Sequence, residues 1–99
     1  MDMLILQTLQ TMGSMHGWGI ARRIERISED QVSLNYGTVY PALIRLEQKG
    51  WIKSSWGISE NNRRAKFYKL SSQGQRQLEI EKRSWKEITA FVSRVLDES

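Results

Sequence analysis

Residues 35–70 read NYGTVYPALIRLEQKGWIKSSWGISENNRRAKFYKL. Val39, Leu43 and Leu46 recur at i, i+4 and i+7, the spacing of one buried helix face. Thr38, Pro41, Arg45 and Gln48 fall on the opposite side of the same wheel. Pro41 has no amide hydrogen and suits a first helical turn, so the helix is expected to begin near Tyr36 or Gly37. Gly50 is a natural stop, which bounds the helix at 36–49. Strand formers over 51–58 follow at once. Next come the polar run 59–64 and a second strand over 65–70, with Lys66, Tyr68 and Leu70 on one face and Phe67 on the other. That order is a short helix with a basic-tipped hairpin, a wing, beside it.

Upstream, residues 2–12 read as a first helix with Asp2 at its N-terminus. Leu4, Ile5, Leu6, Leu9 and Met12 cover more than one face, which calls for burial on more than one side. In so short a chain a second subunit could cover the extra face. After Gly13 and Ser14 a second helix is expected over 16–28, with Ile20, Ile24 and Ile27 inward and Arg22, Arg23, Glu25 and Arg26 outward. Residues 28–35 are a polar turn.

Downstream, Ser71 or Ser72 caps a long helix that reaches about Leu96. Leu78, Trp85 and Val92 recur every seven residues, with Ile88 and Val95 between them. This approaches a coiled-coil seam, with Glu81 in one of its apolar places. Fewer than three heptads are present, which suggests a dimerisation helix. The fold class is therefore mainly α with a small β-hairpin (α+β). It divides into a winged helix-turn-helix over 1–70 and a dimerisation helix over 71–99, together one structural unit.

The chain has 99 residues, the size of one small domain, and dimerisation would add buried area that a chain of this length lacks. It has no cysteine, which excludes disulfides and thiolate metal sites and fits a cytoplasmic protein. The opening MDMLILQTLQ lacks a basic flank and a small-residue cleavage site, so no signal peptide is expected, and no apolar run approaches membrane-spanning length. One histidine and no cysteine leave no metal site and little for catalysis; no cofactor is expected.

Net charge is +4, a weak pointer to an anionic partner. Distribution says more. Asn62, Arg63, Arg64 and Lys66 place amide and cationic donors on the projecting hairpin, as phosphate contacts require. In a helix-turn-helix the second helix enters the major groove. The residues expected to face double-stranded DNA are then Asn35, Tyr36, Thr38, Pro41 and Arg45 on the helix, with Asn62, Arg63, Arg64 and Lys66 on the wing. The helix pair alone is equally consistent with a packed surface that touches nothing; the basic wing tilts the balance. A protein-interaction module on the same fold is the competing class, and it would carry a neutral or acidic wing.

Trp18 either packs between the first two helices or lies against a sugar-phosphate backbone. His16 reads as a capping or phosphate-side residue. Trp85 has three readings: dimer core, packing on the winged domain, or the wall of an apolar cavity at the dimer axis. Four tryptophans in 99 residues is a high count, and flat rings at a two-fold axis could sandwich a planar aromatic effector.

Three blocks in order resemble the PadR family of bacterial transcriptional regulators over nearly the whole chain. They are LQTLQTMGSMHGWGIARRI, GTVYPALIRLEQKGWI and WGISENNRRAKFYKLSSQGQRQL. The first resembles an HGYGI-type opening with Trp18 where tyrosine is commoner, and the third resembles a compact acidobacterial-type subgroup. The resemblance implies a homodimer that binds a roughly palindromic promoter operator and usually represses. It also implies a dimer interface from the first and last helices, here Leu6, Leu9, Leu78, Trp85, Ile88, Val92 and Val95. It places Tyr36, Thr38, Tyr40 and the wing arginines at the DNA. Some multidrug-sensing relatives hold flat aromatic drugs at a position matching Trp85.

Overall fold

The structure, a computed structural model, describes residues 1–29 and 36–98. The elements run in the order α1 (Asp2–Met12), β1 (Met15–His16), α2 (Gly17–Ile27), α3 (Tyr36–Gln48), β2 (Ile52–Ile58), β3 (Arg64–Leu70) and α4 (Ser72–Glu98). The three strands form one antiparallel sheet in the order β1-β3-β2. The expected turn over 28–35 lies mostly outside the described residues.

The core joins all the helices to the sheet. Ile5, Leu6 and Leu9 from α1 meet Ile20, Ala21 and Ile24 from α2 and Val39, Ala42, Leu43 and Leu46 from α3. Ile52 of β2, Tyr68 of β3 and Leu78 of α4 close it. The expected α3 face is thus the buried one. Pro41 lies in the second turn of α3 and not the first, because the helix already begins at Tyr36. It cannot donate to the carbonyl one turn back, a gap tolerated at an exposed position near the helix start.

Three further expectations are corrected here, and one strand is added. Ile27 is 64% exposed, and the buried face of α2 instead includes Ala21 and Glu25. Glu25 tolerates burial because Arg22 donates to its carboxylate at 2.6 Å. Leu6, Leu9 and Leu78, expected at a dimer interface, are 0–2% exposed inside the single chain. They belong to the core of the single chain, and the seven-residue spacing of Leu78 with Trp85 and Val92 runs from that interior out onto the surface. Lastly, β1 has no counterpart among the expected elements. It pairs Met15 with Tyr68 and His16 with Phe67, which ties the start of α2 to the wing strand.

A chain of hydrogen bonds seats α4 on the end of α3. Gly50, at φ 79°, ends α3 with its N–H on the Glu47 carbonyl at 3.0 Å, and the Trp51 N–H reaches Leu46 at 3.1 Å. The Trp51 carbonyl then accepts from the Ser71 N–H at 3.0 Å. Ser71 Oγ donates to the Gly50 carbonyl at 2.6 Å and accepts from the Gly74 N–H at 3.0 Å, capping α4.

Only the first turns of α4 are buried. Its 27 residues span about 40 Å at 1.5 Å per residue. The Cα radius of gyration is 15.5 Å, against about 13 Å for a spherical domain of this length. The excess is the projecting arm. Along it Ile80, Trp85, Ile88, Phe91, Val92, Val95 and Leu96 are all 45–66% exposed. So continuous an apolar stripe is unusual on a free surface.

Candidate nucleic-acid interface

The hairpin is closed by a tight turn. The Asn62 N–H donates to the Ser59 carbonyl at 2.9 Å, and the Ser59 N–H to the Arg63 carbonyl at 2.8 Å. Asn62 sits at φ 59°, a left-handed conformation that asparagine accepts more readily than most residues. Beyond this turn Arg63 and Arg64 lie exposed. Neither has a carboxylate partner among the described residues. The tip therefore presents two uncompensated guanidinium groups.

Beside the wing runs an open groove of about 970 Å³. One wall is β1 and the start of α2, from Met15 through Trp18 and Gly19, with Tyr40 of α3. The other is the hairpin, with Trp56, Arg63, Arg64 and Lys66. The β1–β3 pairing holds the two walls together at their base. His16 caps α2 by accepting the Gly19 N–H on Nδ1 at 3.0 Å, so the other ring nitrogen carries the proton in the neutral form. Its ring meets Phe67 edge-on, with centroids 5.6 Å apart. A Cβ on Gly19 would stand 3.0 Å from the Met15 methyl and 3.3 Å from the His16 ring, so glycine leaves room for the cap.

The expected helix residues divide. Thr38, Tyr40 and Pro41 lie on the exposed face of α3. Arg45 is also exposed, but its Nη2 is 2.5 Å from Asp2 Oδ1 of α1, so part of its charge is engaged within the chain. Asn35 and the Tyr36 side chain fall outside the described residues. On the wing, Asn62, Arg63 and Arg64 are exposed, whereas Lys66 is half-buried with Nζ 3.5 Å from Glu47 of α3. Glu47 also accepts from Ser54 Oγ at 2.5 Å, so one carboxylate binds both strands of the wing to α3. Sequence reading gave Glu47 and Trp56 no role, because their partners depend on strand register. Trp18 is 53% exposed and lies under the Arg22 guanidinium at 4.1 Å, which places it on the surface and not between α1 and α2.

Among the described residues no helix is long and apolar enough to cross a membrane, and no group of three His, Cys, Asp or Glu could hold a metal ion.

Residues 5–80 match the model of the transcriptional regulator PadR-like family. A PadR family transcription regulator from Clostridium difficile is 34% identical, with 96% of each chain covered and a TM-score of 0.81. A transcriptional regulator from Clostridium thermocellum is 26% identical over 94% of this chain and 89% of that one, with a TM-score of 0.82. Bacillus subtilis PadR in complex with operator DNA aligns over 79% of this chain and 44% of that one, at 24% identity and a TM-score of 0.67, a likeness of fold. No curated protein matches the chain in sequence.

Proposed function

The chain belongs to the PadR-like family of transcriptional regulators, and from that membership we propose that it acts in the cytoplasm as a homodimeric repressor binding a palindromic promoter operator in double-stranded DNA. It is a regulator and not an enzyme. The observation that carries the proposal is the wing, whose two arginines have no carboxylate partner among the described residues and stand across an open groove from Trp18 of α2 and Tyr40 of α3. Phosphates in that groove would meet in-plane guanidinium donors, while Thr38, Tyr40 and Pro41 would face base edges. With few charges on α3, sequence reading would rest on hydroxyls and apolar contact with thymine methyls. In a two-fold dimer, two α3 helices would enter successive major grooves about 34–36 Å apart. Repression would follow from excluding polymerase from the promoter.

The test is the double substitution R63A/R64A, measured by fluorescence anisotropy on duplexes selected by the wild-type protein from a random pool. Binding should weaken about tenfold or more on every sequence, and the salt slope should shrink by about 2, since each lost phosphate contact removes roughly 0.9. T38A should instead change which sequences are preferred. Wild-type affinity and slope in the double variant would refute the wing assignment and favour a protein-interaction role.

One observation favours an added effector function. An apolar cleft of about 230 Å³ lies between α1 and α4, lined by Met3, Leu4, Gln7, Lys82, Trp85 and Lys86. A planar aromatic effector stacked on Trp85 would alter DNA binding only if it preferred one dimer geometry. Quenching of tryptophan emission by planar dyes is expected, and W85L should abolish it with the dimer intact. A broad dye panel without quenching would remove this reading.

A further inference from the structure

We propose that Trp56 is a positioning residue for Arg64, holding the guanidinium so that its N–H edge faces a phosphate of the bound duplex. The inference rests on the nucleic-acid reading of the groove and assigns a role to a side chain that does not need to touch DNA. Arg64 Cζ lies 4.5 Å from the centroid of the Trp56 ring. The strand register explains the meeting. Trp56 pairs with Lys66 and Ile58 with Arg64, so Trp56 and Arg64 are diagonal neighbours on one face of the hairpin. On the opposite face the Phe67 ring covers Gly57, where an added Cβ would stand 2.9 Å from the ring. The strand beneath Trp56 is thereby buttressed.

Stacking uses the face of a guanidinium and leaves its edge free. The five N–H donors lie in the plane, so an arginine flat against indole still offers its fork to a phosphate. The ring also favours the rotamers that keep the guanidinium over it, so less side-chain freedom is lost on binding. Trp56 is 61% exposed, which core packing does not explain.

A comparison within the groove sets this pair apart. Beside the facing wall Arg22 Cζ lies 4.1 Å from the centroid of the Trp18 ring, a cation–π contact of the same kind. Arg22, however, is also bound to Glu25 at 2.6 Å, so its charge is locally offset. No carboxylate among the described residues pairs with Arg64. Of the two stacked arginines lining or flanking the groove, Arg64 is the one whose full charge is available.

The experiment is a double-mutant cycle on the full chain. Wild type, W56A, W56F, R64A and W56A/R64A are titrated with a mixed-sequence duplex of about 30 base pairs at several salt concentrations. W56A should weaken binding about threefold to tenfold, the scale of a partly exposed cation–π contact, and W56F should restore most of the loss. In the R64A background W56A should cost nothing further. The free protein supplies a second readout: the ring-current shift on the Arg64 side-chain protons should vanish in W56A.

An equal loss from W56A with and without Arg64 would overturn the proposal, since Trp56 would then touch the nucleic acid itself or support the fold. Unchanged binding in W56A would overturn it too. The underlying reading is judged separately, by whether wild type binds with a steep salt dependence and R64A weakens it. If wild type does not bind the duplex, both fall together.

Discussion

The double substitution I88E/V92E is expected to leave a folded monomer that has lost operator binding by about a hundredfold to ten-thousandfold, the gain that linking two half-site readers provides. Ile88 is 53% exposed and Val92 45% exposed in the single chain. Glutamate there costs little within one protomer, and it is a good helix former. In a dimer that covers the arm, each carboxylate would be taken out of water beside apolar side chains, a penalty of several kcal/mol per ion. The two requirements pull apart, so helix content by circular dichroism should hold while the mass by light scattering halves. Binding to an isolated half-site should change little, because no residue of α4 lines the groove beside the wing. Persistence of a dimer at micromolar concentration would show that this stripe is not the interface.

Replacing Gly74 by alanine should lower stability by about 2–3 kcal/mol, even though alanine is the better helix former by roughly 1 kcal/mol. An added Cβ would stand 1.9 Å from the Trp51 carbonyl oxygen and 2.8 Å from its carbon, with Leu70 Cδ1 at 2.9 Å. No carbon approaches a carbonyl oxygen so closely, so backbone must move by about an ångström or more. The Trp51 peptide cannot move freely, since its N–H is bound to Leu46 and its carbonyl accepts from Ser71. The steric term therefore outweighs propensity. Melting should fall by about 10–20 °C, compared at equal protein concentration because the stability of a dimer would depend on it. S72A, at an exposed neighbour, should shift it little. A G74A melt at or above wild type would mean that α4 does not sit on the Trp51 carbonyl.

Much of the fold was legible because its signals are local. The spacing of Val39, Leu43 and Leu46, the glycine at 50 and the basic run before a strand each depend on residues within a turn or two. Three ordered blocks also carried the family resemblance, which the match over residues 5–80 bears out. The errors arose where a periodic pattern has two solutions. Leu78 and Val92 share one heptad spacing, yet one is interior and the other exposed, because the body of the domain ends partway along α4. Leu6 and Leu9 look like spare apolar surface only until the core of the single chain closes around them. Ile27 keeps helical register with Ile20 and Ile24 but passes beyond the elements that bury them.

Residue type alone also could not distribute the charge. Arg45, Lys66, Arg63 and Arg64 carry the same sign in the sequence. Tertiary structure engages Arg45 with Asp2, forty-three residues away, and Lys66 with Glu47, and leaves the wing pair without a carboxylate partner among the described residues. By itself, then, the sequence determined the order of the helices and the hairpin, the buried face of α3 and the basic tip, since these follow from nearest-neighbour conformational preferences and side-chain periodicity. Only the tertiary structure decided which leucines are interior, which cations are free and which indole lies under Arg64. Those outcomes depend on strand register and helix packing, which bring together residues that no local pattern connects.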